Sequence, residues 1–161
     1  MKNTKIFHDH LNRKSAVSKT LEKITALVAL LLLFNCGNSP QPIIYGQDGC
    51  HFCKMTIVDK LHAAEIVTKK GKVFKFDATE CMVNHIKTID PTTIKHFLSS
   101  NYLEAESLID ATQASFLISE NIPSPMGAFL SVFVSKADAE SIQAQKSGEI
   151  YSWEALLQHL K

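Results

Sequence analysis

Two thiols, an imidazole and a thioether fall within six residues, Cys50-His51-Phe52-Cys53-Lys54-Met55. Polarisable sulfur donors select Cu(I) and, with less preference, Zn(II). The carboxylates that hard ions prefer are absent from this hexapeptide. The thioether separates the two soft ions. Zinc sites are built from Cys, His and carboxylates, so a Met two residues after the second Cys favours copper. Singly, each residue has an ordinary role: Met55 as a core filler, the Cys pair as a structural disulfide, His51 as a solvated loop side chain. Their conjunction in one short loop is what points to a metal.

Two further groups of soft donors occur. Cys81-Met82, with His85 four residues after Cys81, places a thiol and an imidazole on one helical face, a spacing suited to a shared ion. The same residues also read as the buried side of an amphipathic helix. Met126, between Pro125 and Gly127, sits in a loop with no evident need for a large flexible side chain, so it is placed to act as a ligand from the second half of the chain or to plug a lobe interface. Catalytic patterns are weak. There is no nucleophile elbow and no Gly-rich phosphate loop. Haem attachment would need a His directly after Cys53, where Lys54 stands. A thioredoxin-like site would want the Cys pair opening a helix, but Thr56-Ile57-Val58 follow and favour a strand.

The elements that must position these residues follow from patterning. Leu61–Thr68 and Val73–Phe76 flank a Gly-containing turn and read as a hairpin. Asp77 or Thr79 caps a helix through Cys81, Met82, His85, Ile86 and Ile89, which ends before Asp90-Pro91. After a polar connector, Tyr102–Ile109 and Ala114–Ile118 read as strands, Ser119–Gly127 as a breaker-rich loop, and Ala128–Val134 as a buried strand. Ala137–Lys146 forms a helix, Glu149–Tyr151 an edge strand, and Ser152 opens a last helix with Trp153, Leu156, Leu157 and Leu160 on one face. The expected fold is α+β: two small ββαβ lobes, about 48–110 and 111–161, arranged as a possible duplication, with a C-terminal helix.

Ahead of this domain, a basic segment precedes an 11-residue apolar run, Ile24–Phe34. That is shorter than the ~20 residues of a spanning helix and reads as a secretory signal. Cys36 follows at once, as in a bacterial lipoprotein signal. Residues 1–35 are thus expected to be the signal peptide, 36–47 a lipid anchor on Cys36 and a Pro-containing tether, and 48–161 the domain. From Cys36 onward, eleven basic residues face fourteen acidic ones, a net charge of −3. No basic stripe remains to grip nucleic acid, and that class is excluded. With Cys36 lipidated, Cys50, Cys53 and Cys81 remain, an odd number that rules out a complete disulfide framework.

The leader, the loop Asp48-Gly49-Cys50-His51-Phe52-Cys53-Lys54-Met55-Thr56-Ile57, the segment Phe74-Lys75-Phe76-Asp77 and the late Ser124-Pro125-Met126-Gly127 together resemble the NosL family, the nitrous oxide reductase accessory lipoproteins. The resemblance implies a two-lobed ββαβ fold and a membrane-anchored Cu(I) chaperone of the bacterial cell envelope, facing the periplasm. It implies as partners nitrous oxide reductase, whose copper–sulfur centre is supplied, and an ABC-type maturation complex. The family loop usually reads Cys-x-x-Cys-Gly-Met, so Lys54 is a departure. By position, the resemblance assigns Cys53, Met55 and Met126 as ligands, with Cys50 or His51 completing or exchanging the site, and Cys81 and Met82 after them. Two alternatives stand beside the carrier: a membrane-anchored thiol–disulfide oxidoreductase cycling Cys50 and Cys53, and a structural zinc lipoprotein using Cys50, Cys53, Cys81 and His85.

Overall fold

In the computed structural model, residues 38–160 are described; the expected signal segment and Cys36 lie outside them. The first β-rich runs form the hairpin β1 (Ala64–Thr68) and β2 (Val73–Phe76), in register from Ala64 opposite Phe76 to Val67 opposite Val73. Gly71 adopts φ +82° in the turn, the left-handed conformation that glycine accepts freely. Helix α1 (Thr79–Ile86) follows, then β3 (Ile94–Ser100) and β4 (Leu108–Asp110). These four strands make one antiparallel sheet in the order β2-β1-β3-β4. The second half repeats the theme with β5 (Ser115–Ile118), β6 (Leu130–Phe133), α2 (Lys136–Lys146) and β7 (Glu149–Tyr151), closed by α3 (Trp153–His159). Its sheet runs β6-β5-β7, also antiparallel. The α+β reading with two antiparallel sheets and a C-terminal helix is what the structure has; the second unit is ββαβ, and the first adds a further strand, β4, to that order.

Both units feed one core. Ile66, Phe76, Cys81 and Met82 from the first share a buried cluster with Phe116, Leu130, Val132, Trp153 and Leu156 from the second. Strand pleating explains how the thin second sheet manages this. Phe116 faces the shared cluster, while Leu117 and Phe133 face a smaller one with Ile122 and Ala139 under α2. Residues 38–48 are fastened to the first sheet. The Gln41 N–H donates to Glu65 Oε1 (3.0 Å), and Lys75 Nζ donates to Pro42 O and Asp48 Oδ2, each at 2.6 Å.

Several expected elements differ. The connector after Pro91 is strand β3, which lies inside the sheet between β1 and β4. Its polar residues misled the reading because Ser99 is buried for a reason other than packing: its hydroxyl meets the Thr79 hydroxyl at the start of α1. Only Leu108–Asp110 of the expected Tyr102–Ile109 strand is extended pairing. Tyr102 instead stacks on Phe133 (5.6 Å) and His62 (5.9 Å) at a corner. Thr56 makes an isolated bridge to Gly49 and no longer strand. The N-cap of α1 is Ala78, with no side-chain cap; Asp77 is buried and Thr79 turns to Ser99.

Candidate metal centre

The loop from Asp48 to Ile57 is a closed hairpin-like turn. Its base is the Gly49–Thr56 bridge and the bond from Ile57 N to Asp48 O (2.9 Å). Inside it, Cys50 N donates to Met55 O (2.7 Å) and Lys54 N donates to Cys50 O (3.1 Å). The loop is seated on the first sheet by His51 N donating to Lys75 O (2.8 Å) and by the Asp48–Lys75 ion pair. Cys81 lies on the buried face of α1, in the same core cluster as Cys50, with Cys53 packed against it.

The sulfurs of Cys50, Cys53 and Cys81 all lie within 4.8 Å of one another. Among the described residues, no His or carboxylate joins them at that spacing. None of the three is in a disulfide. Cys50 is 2% exposed and Cys81 fully buried, while Cys53 is half-buried at the surface. The cluster shares its protons unevenly. A hydrogen bond from the Cys81 thiol, helped by the backbone N–H groups of Asp77 and Cys53, holds Cys50 down to about 4. The donor role then pushes Cys81 up, with burial adding to it, and burial raises Cys53. One thiolate flanked by two thiols results, a ready seat for a soft cation that displaces the remaining protons on arrival.

The imidazoles sit beside this trio. His51 stacks on Phe74 (4.5 Å between ring centres) and meets His85 edge-on at 4.9 Å. Burial holds both rings below the ordinary histidine value, with the charges of Lys54 and Lys72 acting the same way on each. Neutral rings keep a lone pair available, and His85 Nε2 is buried without a hydrogen-bond partner. Met82 is fully buried in the shared core, which is packing. Met55 is 56% exposed and Met126 39% exposed. The Met126 loop is latched to α1: Ser124 Oγ donates to Glu80 Oε1, on the residue next to Cys81. Gly127, at φ +76°, closes that loop with a bond to Ser124 O.

Comparison with known proteins bears on this arrangement. The family model described as NosL matches residues 42–160. The chain belongs to the NosL family. A curated relative from Stutzerimonas stutzeri, named a copper-binding lipoprotein NosL, is 28% identical over 152 residues, covering 83% of this chain and 80% of the relative. The crystal structure of the copper chaperone NosL from Shewanella denitrificans is similar in fold, with a TM-score of 0.62 and 24% identity over 73% of this chain and 95% of that one.

Membership in the NosL family gives Lys54 a structural meaning. The residue has φ +68°, in the left-handed region. The glycine that the family resemblance leads one to expect at this position would adopt that conformation without cost, whereas a side chain there costs about 1 kcal/mol. Lys54 offsets part of this by donating from Nζ to His51 O. The sequence reading placed Cys81 after Cys53, Met55 and Met126, because helical periodicity cannot distinguish a core thiol from a ligand; the structure sets it beside Cys50 and Cys53. The Ser124–Glu80 latch had no local signal, since its partners are 44 residues apart.

Proposed function

We propose that this domain carries Cu(I) on the Cys50–Cys53–Cys81 trio and releases it to another protein, without turnover. The single observation that carries this is three reduced sulfurs within 4.8 Å, two of them sealed and one at the surface. Thiolate donors match a cuprous ion, and an edge left to solvent lets an incoming donor bind before the last sulfur leaves. Met55 and Met126, both partly exposed, are the thioethers on hand at that stage; they have no proton to regain and bind independently of pH. Supporting the reading are two relatives, one named as copper-binding and the other as a copper chaperone. We further assign a lipid to Cys36, an envelope location facing the periplasm, and nitrous oxide reductase with its ABC-type maturation complex as recipients. The lipoprotein-like leader and a relative named as a lipoprotein support the anchor; the recipients rest on the family resemblance alone.

The oxidoreductase alternative fits the trio poorly. Its reactive thiol should be both acidic and accessible, but here the acidic thiol, Cys50, is buried and the surface thiol, Cys53, is raised. The zinc alternative lacks its fourth donor at contact distance. The test is a competition titration of the reduced protein against a colorimetric Cu(I) chelator. One equivalent is expected to bind, and Cys81→Ser is expected to weaken it by more than about 100-fold, beyond the loss typical of residues that only support a ligand. Unchanged affinity in that variant would remove Cys81 from the site.

A further inference from the structure

The start of the described chain is held at one place on the domain. Lys95 Nζ donates to both the backbone oxygen (3.0 Å) and the side-chain oxygen (2.7 Å) of Asn38. The Asn38 amide in turn donates to Lys69 O at 3.5 Å. Asn38 is thereby fastened at the turn end of the β1–β2 hairpin, where Lys69, Lys70, Gly71 and Lys72 connect the strands. Lys69 N also donates to Thr93 O (2.9 Å), which draws the segment before Lys95 to the same end. Lys69, Lys70, Lys72 and Lys95 are all exposed there. The charge of Lys69 reaches Asp90, and the four lysines outnumber that carboxylate.

This is the reverse of the domain as a whole. Residues 104–160 hold two lysines against eight carboxylates, so positive charge is concentrated where the chain enters the fold. Cys36 precedes Asn38 by two residues, and two residues of chain span at most about 7 Å. That is inside a Debye length of roughly 8–10 Å at physiological salt.

We propose that the Lys69–Lys70–Lys72–Lys95 cluster is a docking surface for an anionic phospholipid bilayer. It rests on the reading of Cys36 as the lipid-bearing residue. A lipid alone tethers a domain without fixing how it faces the surface, and basic residues near the anchor supply a second, orienting attraction to anionic headgroups. An acidic protein could also fit a basic patch, but the chain end brings this one to the lipid surface within electrostatic range.

The test uses the mature lipid-bearing protein in vesicles of phosphatidylcholine alone or with an equal share of phosphatidylglycerol. Amide hydrogen exchange is followed over Thr68–Lys72 and Thr93–Lys95. Exchange at these segments is expected to slow roughly tenfold in the anionic vesicles, to recover at high salt, and to be insensitive to vesicle charge in a Lys69→Gln, Lys70→Gln double variant. Unchanged Cu(I) uptake by that variant verifies its fold. Equal exchange in both vesicle types, with lipid present on Cys36 by mass spectrometry, overturns the docking surface and leaves the anchor standing. A mature N-terminal peptide without lipid overturns the anchor and the docking together.

Discussion

The two halves of this domain both begin with two strands, a helix and a strand, and differ in what that helix does. In the first, α1 buries Thr79, Glu80, Cys81, Met82, Val83 and His85. In the second, α2 buries Ala139 alone and lies on the outside of its sheet. The first half also hides ionisable groups, Glu65, Asp77, Glu80 and His62 with its thiols, whereas the second buries only the hydroxyls of Ser119 and Ser131. Buried titratable groups are costly to keep, and two of them adjoin the soft-donor site: Asp77, whose backbone bonds Cys50, and Glu80, next to Cys81 in the chain. The charge balance divides the same way: eight lysines and six carboxylates in residues 38–103, against two and eight in residues 104–160. The second half is the plainer partner, closing the core that shields the thiols of the first.

That division can be broken from the plain side. Phe116, on β5, is fully buried in the cluster that contains Cys50 and Cys81 and stacks on Trp153 at 5.9 Å. Phe116→Ala is expected to destabilise the domain by about 3–5 kcal/mol in denaturant unfolding, as large aromatic truncations do. Cu(I) affinity of the molecules still folded is expected to be unchanged. Loading the site sharpens the comparison, because the ion would join the loop to α1. At a free concentration near a thousandfold above Kd, Cu(I) is expected to add about 4 kcal/mol to stability. Hydrogen exchange should slow first in Gly49–Thr56 and α1 and last in α2.

Smaller effects probe the local departures. Lys54→Gly relieves the left-handed strain but removes the bond to His51 O. A gain of up to about 1 kcal/mol in thermal unfolding is expected; a loss would show that the lysine bond outweighs the strain. The smallest effect concerns Glu65, which is fully buried with one oxygen unpartnered. Burial raises its carboxyl, so the folded protein holds the proton more tightly than the unfolded chain. The resulting stability is complete below the unfolded value of about 4.3 and is lost as pH rises through the folded one. Glu65→Gln keeps an acceptor for Gln41 N–H. It is expected to leave Tm unchanged below about pH 4 and to raise it modestly at neutral pH.

Legibility in the sequence followed the range of the interactions involved. The hairpin around Gly71, the Ser152 cap of α3 and the edge position of β7 are local, and alternation or turn chemistry announced them. Strand β3 was missed because Ser99 and Ser100 look like linker residues until the hydroxyl of Thr79 is placed across from Ser99. Tyr102 and Leu103 looked like strand residues, but the backbone there turns, and Glu106 at φ +64° leaves the extended conformation of a strand. The Cys50–Cys53 pair was plain in the sequence. Its third sulfur lies 28 residues past Cys53 and joins it only through the packing of α1 on the loop.

One feature of the trio governs how anything leaves it. Cys50 and Cys81 are walled in on every side, and Cys53 alone reaches the surface. In the proposed carrier a recipient approaches at Cys53, the one doorway, while the two covered sulfurs hold the ion from inside. Departure then has an order, written into which of three sulfurs the fold covers.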